Sequence, residues 1–173
     1  MNIPTDLLRA ILDGYTLPLD GIHGLAHWGR VLETGLRLSE ETDADPEVVT
    51  LFALFHDARR WNESIDPEHG LRGAELAESL RDELPLDDLQ FELLAEACIH
   101  HTDGLTEAHP TVQTCWDADR LDLWRVGIEP ENSLLCTPAA RDAGIREWSR
   151  IRSLDDHWPE PARAWLRQAD GHG

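Results

Sequence analysis

Residues 51–61 read LFALFHDARRW: an apolar run ends in an adjacent histidine and aspartate, and two arginines and a tryptophan follow. His56 and Asp57 together suit a transition metal, because imidazole and carboxylate are common ligands of such ions. The same two residues also suit a polar helix end that meets solvent. The pair alone does not separate these interpretations, and the decision depends on the rest of the chain.

The hydrophobic pattern along the chain predicts helices and almost no strands. We expect helices at about 4–13, 22–40, from Pro46 to the histidine-aspartate pair, 70–82, from Asp87 to about 101, 137–153 and 159–169, and shorter helical pieces within 111–127. Asp45 and the Asp87-Gln90 pair are suitable N-caps. The expected fold is all-α, a single helical bundle over 1–173 with a motif-bearing core at about 22–127 and a C-terminal helical extension at 128–173.

The chain is strongly acidic, with 34 acidic residues against 15 basic ones and a formal net charge of −19. It contains no lysine, so every basic residue is an arginine. Such a surface repels nucleic-acid polymers and anionic membranes, and neither is an expected partner. An anionic substrate must then be attracted by a metal or by clustered arginines. Adaptation to high salt and compositional bias both explain the acidity equally well.

The N-terminal residues lack the basic start and apolar stretch of a signal peptide. Three cysteines form no C-x-x-C spacing, which argues against a disulfide framework. These features favour the cytoplasm as the location. The oligomeric state stays open.

Two further segments carry candidate ligands. HGLAHWGRV (23–31) places His27 beside an apolar helical stripe, where a histidine is either a structural residue or a ligand; His23 lies four residues earlier and could share its face. WDADRLDLW (116–124) offers Asp117, Asp119 and Asp122, either as a solvated helix start or as ligands. Asp119 and Asp122 are three residues apart and can share one face, whereas Asp117 points elsewhere.

In this order, HGLAHWGRV, FHDARR and DADRLD resemble the HD-domain superfamily of metal-dependent phosphohydrolases. The resemblance covers about residues 22–127. It implies that His27, His56, Asp57 and Asp119 ligate one divalent transition metal, which is Mn, Fe, Ni, Co or Zn. Asp119 is favoured over Asp117 because the family's last aspartate follows an alanine, as in Ala118-Asp119.

A more local resemblance concerns HGLRGAELA (69–77) and HHTDG (100–104), which are similar to segments of the HD-GYP branch. It implies a second metal ion held by His69, His100 and His101. The GYP signature itself is missing, since LTEAHP follows Asp103-Gly104. Hydrolysis of cyclic dinucleotides is therefore not inferred.

The resemblance implies hydrolysis of a small phosphorylated metabolite, with a nucleotide favoured, by metal-activated water. Asp57 and Arg60 are the expected catalytic residues, and Arg30, Arg60 and Trp61 are the expected substrate contacts. For Arg59 and Arg120 a surface ion pair with an acidic residue is favoured. Two alternatives stay open: a di-iron oxygenase that uses four histidines and two aspartates (His27, His56, His69, His100, Asp57 and Asp119), and a ligand-sensing domain without catalysis.

Overall fold

The computed structural model describes residues 3–169, and this part of the chain is helical without a β-strand, which confirms the all-α prediction. Its α-helices are α1 (Thr5–Leu12), α2 (Leu25–Thr42), α3 (Pro46–Phe55), α4 (His69–Ser79), α5 (Asp88–His100), α6 (Pro110–Arg120), α7 (Pro138–Arg141), α8 (Ala143–Leu154) and α9 (Glu160–Ala169). Short 3₁₀ helices occupy Arg81–Glu83, Leu123–Val126 and Asn132–Leu134. None of the helices within residues 3–169 has both the length and the apolar character that crossing a membrane demands.

Both predicted N-caps are present. The Asp45 side chain accepts hydrogen bonds from the backbone N–H groups of Glu47 and Val48, and Pro46 begins α3. At the start of α5, Asp87 and Gln90 form a reciprocal capping box. The starts of the two helices that lead to His56 and His101 are therefore fixed by local sequence.

One predicted helix is divided in the structure. The expected helix over 137–153 forms α7 and α8, because Asp142 adopts an extended conformation and caps α8 through the amides of Gly144 and Ile145. The shorter helical pieces expected within 111–127 are present as α6, which ends at Arg120, and a 3₁₀ turn that stops at Gly127 with a positive φ.

α3 lies at the centre of the bundle. Every residue from Val48 to Phe55 is buried, and the helix packs against α2, α5, α6 and α4. A helix that is apolar on all sides is stable only when neighbours cover all of it. The C-terminal end of α3 therefore lies in the interior of the protein, and so do the next two residues, His56 and Asp57.

α4 approaches its neighbours closely because it carries two glycines on one face. A Cβ atom at Gly73 would lie 2.3 Å from the carbonyl oxygen of Phe55, and one at Gly70 would lie 2.2 Å from that of Cys98. Both distances are shorter than any van der Waals contact. The glycines thus let α4 bring its first residue, His69, up to the ends of α3 and α5.

The C-terminal part of the chain packs beside this bundle. A second apolar cluster joins α2 and the end of α6 to α7 and α8; its members are Leu38, Leu121, Leu135, Ala139, Ala140 and Ile145. α9 packs against α2 and α1. The segment between α6 and α7 consequently lies next to the end of α6, where Asp119 is located.

Candidate metal centre

His56 and Asp57 directly follow α3 and are buried. The backbone N–H of His56 donates to the carbonyl of Phe52 at 3.0 Å, so the helical hydrogen-bond pattern continues into this residue. The imidazole ring also stacks on the Phe52 ring, with 5.0 Å between the centroids. The apolar run therefore fixes the position and the ring plane of His56.

His27 and His56 form the first histidine pair. Their Nε2 atoms are 3.1 Å apart, and Asp57 Oδ2 lies 3.6 Å from Nε2 of His27 and 3.8 Å from Nε2 of His56. Asp119 Oδ1 lies 3.4 Å from Nε2 of His27 and 3.9 Å from Nε2 of His56. This brings together all four residues that the family resemblance assigned to one metal.

His69 and His101 form the second histidine pair, with 2.8 Å between their Nε2 atoms. The other oxygen of Asp57, Oδ1, is 3.1 Å from Nε2 of His69 and 3.9 Å from Nε2 of His101. Asp57 thus presents one carboxylate oxygen to each pair. His27, His56 and Asp57 can hold one metal ion, and Asp57, His69 and His101 can hold another.

The other ring nitrogen of each histidine is bound away from the centre. Nδ1 donates to a backbone carbonyl in three of them, namely His56 to Phe52, His69 to Asp66 and His101 to Cys98. In His27, Nδ1 donates to the carboxylate of Asp122 at 2.7 Å. A carbonyl only accepts hydrogen bonds, so the proton of each neutral ring is on Nδ1 and Nε2 carries a bare lone pair.

This assignment tests whether the centre fits a metal. With the proton on Nδ1, the Nε2 lone pairs of each pair face each other across 3.1 or 2.8 Å and repel. A cation shared by each pair turns this repulsion into attraction, and Nδ1 hydrogen bonds of this kind are typical of metal-binding histidines. The residues therefore fit a divalent transition metal.

The protonation states also suit metal binding. Burial lowers the pKa of His56 to about 3, and burial likewise lowers the pKa of His101. Burial alone would raise the pKa of Asp57, but His56 and the hydrogen bond with His69 hold it well below its usual range. Burial would also raise the pKa of Asp119, but the hydrogen bond with His27 holds that pKa below its usual range. Neutral imidazoles and ionised carboxylates are the forms that bind metal.

Asp122 fixes the ring of His27 through the ring nitrogen that faces away from the centre, a role that the sequence alone did not assign. Its carboxylate accepts from Nδ1 of His27, from Nε and Nη2 of Arg30 at 2.7 and 3.0 Å, and from the Ser153 hydroxyl. Burial would raise its pKa, but the hydrogen bond from His27 and the charge of Arg30 bring it to about 2. The spacing of three residues from Asp119 was the signal that placed both on one face.

Arg30 is not placed as a substrate contact, which corrects the expectation from the sequence. Its guanidinium is buried against Asp122 and also donates to the carbonyl of His157 at 3.1 Å. These bonds direct it away from the two histidine pairs. Arg30 therefore holds Asp122, which in turn orients His27.

Asp117 turns away from the centre, as the spacing predicted. Its carboxylate accepts from the backbone N–H groups of Cys136 and Thr137 at 2.6 and 2.8 Å, and from the Thr137 hydroxyl at 2.7 Å. It thereby anchors the segment before α7 to α6. Two buried aspartates of one short motif, Asp117 and Asp119, have different roles.

His100 is not brought to the centre, and this also corrects the sequence-based assignment. Its side chain is 42% exposed, and Nδ1 bonds to Asp103 at 2.7 Å. Consecutive residues of a helix are about 100° apart around its axis, so only one of the two adjacent histidines can face inward. That residue is His101. His23 is also outside: its Nδ1 bonds to Glu63, and it does not form a two-histidine site with His27.

Arg60 is the arginine that reaches the centre. Its Nη1 lies 3.4 Å from Oδ1 of Asp57 and 3.1 Å from Nε2 of His69, and Nη2 donates to the carbonyl of Ser64 at 2.7 Å. Trp61 is 67% exposed, and the guanidinium of Arg72 covers one face of its ring at 3.7 Å from the centroid. Only the opposite face of Trp61 remains for the base stacking that was expected of it.

Within residues 3–169, neither Arg59 nor Arg120 forms the surface ion pair that was expected. Arg59 donates to the carbonyls of Ile11, Ala58 and Asp13 and so ties the end of α1 to the end of α3. Arg120 is buried and donates to the carbonyls of Leu134 and Leu105. Both guanidiniums join backbone segments, a role that an acid-rich composition gave no reason to expect.

A comparison with protein-family models agrees with this arrangement. The HD-domain model matches residues 24–124, which is more than half of the chain. The chain belongs to the HD-domain family. The matched range contains both histidine pairs together with Asp57 and Asp119, and HD domains are typical of metal-dependent hydrolases. Comparison with curated proteins and with solved structures gave no match.

Proposed function

We propose that this HD domain is a metal-dependent phosphohydrolase that holds two divalent transition metal ions and hydrolyses a small phosphorylated metabolite, with nucleotides as the first class to test. The observation that carries the proposal is Asp57, which directs one carboxylate oxygen to each histidine pair. A carboxylate shared in this way is the usual bridge of a two-metal hydrolase.

The contacts support the ligand assignment. His27, His56, Asp57 and Asp119 would hold one ion, and Asp57, His69 and His101 would hold the other. A set with four imidazoles and two carboxylates favours Mn, Fe, Co, Ni or Zn over Mg or Ca, which prefer oxygen ligands alone.

A divalent metal supplies Lewis acidity here, which activates water and polarises a phosphoryl oxygen. The protein contributes the geometry: Asp57 sets the spacing between the two pairs, and Asp122 fixes the ring of His27. Arg60, whose Nη1 is already beside Asp57, donates to an oxygen of the substrate phosphate. Because Nη2 is held by the carbonyl of Ser64, Nη1 is the nitrogen that would donate to the phosphate.

A di-iron oxygenase is the second candidate, since the centre contains the four histidines and two aspartates that such an enzyme needs. His101 takes the place that the sequence-based reading gave to His100. Iron content together with a mixed-valent electron paramagnetic resonance signal after partial reduction would support this candidate over the hydrolase.

The test is a panel of phosphomonoesters, phosphodiesters and nucleotides assayed with Mn, Co, Ni, Zn or Fe(II). We expect turnover with at least one metal, no turnover after chelation, and loss of turnover in Asp57→Asn. His100→Ala is the matched control, because this exposed histidine lies outside the centre, and it should keep wild-type activity. Metal binding without turnover of any panel member would overturn the hydrolase proposal in favour of a ligand-sensing domain.

A further inference from the structure

A cavity of about 240 Å³ opens beside the metal centre. One side is formed by His101 and Asp119, and the facing side by the segment that leads from α6 to α7. Because two proposed ligands belong to its wall, a phosphate held at the centre would direct its ester group into this space. The C-terminal part of the chain therefore shapes the place where the substrate's organic group is bound.

The wall that faces the centre is apolar. It is formed mainly by Leu123, Pro130, Leu134 and Leu135. Leu135 is fully buried, whereas Leu134 is 41% exposed. An apolar group of the substrate would cover Leu134, and removing such surface from water is favourable.

The charges around the cavity disfavour a second anionic group. Asp119 and Glu131 line it, and Glu131 is exposed at the rim. Arg120 is the cation among the lining residues, but its two Nη atoms already donate to the carbonyl of Leu134, which lines the cavity, and to that of Leu105. Arg120 thus braces the cavity, and a carboxylate or a further phosphate would meet Glu131 without a free arginine fork to bind it.

The volume limits the size of the group. An engineered protein cavity of about 150 Å³ holds one benzene molecule. The cavity beside the metal centre therefore accommodates one ring with small substituents.

We infer that the substrate is a phosphomonoester with a single phosphate and an uncharged, mainly apolar leaving group of about one ring in size. The leaving group lies against Leu134 and Leu135 while Glu131 excludes anionic alternatives. This inference rests on the proposed hydrolase function and narrows it to a substrate class.

The experiment compares benzyl phosphate with 3-phosphoglycerate, since both are alkyl monoesters but only the second has a carboxylate. We expect kcat/KM to be at least about tenfold higher for benzyl phosphate, as a fitted apolar pocket allows. Leu134→Asp should lower kcat/KM for benzyl phosphate by about tenfold or more, and Glu131→Gln should raise it several-fold for 3-phosphoglycerate. Leu89→Asp is the control, because Leu89 is exposed at the opposite end of α5 from His101.

Binding is measured separately by calorimetry of the metal-loaded protein with benzylphosphonate and 2-carboxyethylphosphonate, and the first should bind more tightly. Hydrolysis with no preference for the benzyl ester, or with specificity that Leu134→Asp and Glu131→Gln leave unchanged, overturns the inference while the hydrolase proposal stands. Absence of any phosphoester turnover by the metal-loaded protein overturns the hydrolase proposal, and the inference falls with it.

Discussion

Asp122 offers a sharp test of the metal centre, because it touches no substrate and none of the shared ligand atoms. The substitution Asp122→Asn keeps the size of the side chain but removes its charge. One amide oxygen can still accept from His27, whereas the amide NH₂ would face the N–H donors of Arg30. The His27 ring then loses the fixed orientation that the carboxylate gives it.

The structure sets the expected size of the effect. Removal of the hydrogen-bond partner of a metal-binding histidine lowers metal affinity by about 10- to 100-fold, which is about 1.4–2.8 kcal/mol. The variant also leaves Arg30 without its buried partner, since both side chains are at most 5% exposed. We expect the free energy of unfolding of the metal-free protein to fall by about 3 kcal/mol, the lower end for a broken buried ion pair.

Metal affinity is measured by competition with a chromogenic chelator at fixed pH, and stability by urea unfolding of the metal-free protein. Asp117→Asn is the matched control, because Asp117 is also a buried aspartate of the same motif but binds Cys136 and Thr137 instead. It should lose about 1–3 kcal/mol of stability and keep its metal affinity. The reasoning is refuted if Asp122→Asn binds metal as tightly as the wild type, or if Asp117→Asn weakens binding equally.

Three further results are expected. Asp57→Ala should retain neither metal ion, because its carboxylate is shared, whereas His101→Ala should retain the ion of the first histidine pair. Plasma mass spectrometry gives the number of ions per chain, and equal loss in both variants would exclude a shared Asp57. Chelation should lower the melting temperature by roughly 5–10 °C, since an ion at 100 times its Kd stabilises a fold by about 2.7 kcal/mol; an unchanged calorimetric transition would contradict this. Gly73→Ala should lower the free energy of unfolding in urea by about 1–3 kcal/mol, because the new Cβ would lie 2.3 Å from the Phe55 carbonyl oxygen. Glu75→Ala, on the exposed face of α4, is the control and should leave the free energy of unfolding almost unchanged.

The fold class follows from the sequence for physical reasons, because apolar residues recur at helical spacing. The caps at Asp45 and Asp87 fix where α3 and α5 begin. The candidate ligands His27, His56, Asp57 and Asp119 came instead from the resemblance of three ordered motifs to the HD-domain superfamily. Physical reasoning on His56 and Asp57 alone left the alternative of a polar helix end open.

Residues whose role depends on how a helix is rotated about its axis could not be told apart in the sequence. His100 and His101 are adjacent and chemically identical, and only the direction of the last turn of α5 decides which one faces His69. The same limit applies to arginines. Arg30 and Arg120 have equal charge in the sequence, but their partners, Asp122 and two backbone carbonyls, come from distant segments.

The groups that accept hydrogen bonds from Nδ1 of the ligand histidines are the hardest to predict. Three of the four histidines bind backbone carbonyls, and every residue offers such a carbonyl, so no residue type marks the interaction. The apolar cavity depends on the segment before α7, which the motif pattern does not cover. The substrate contacts proposed for this segment can be inferred only from the folded chain.

The metal content of the protein is the decisive quantity for a centre in which Asp57 joins two histidine pairs. Protein purified without chelator, and protein reconstituted separately with Mn, Fe(II), Co, Ni or Zn, would be analysed by plasma mass spectrometry after removal of loosely bound ions. Two ions per chain in at least one preparation is the predicted result. One ion or none in every preparation would contradict it.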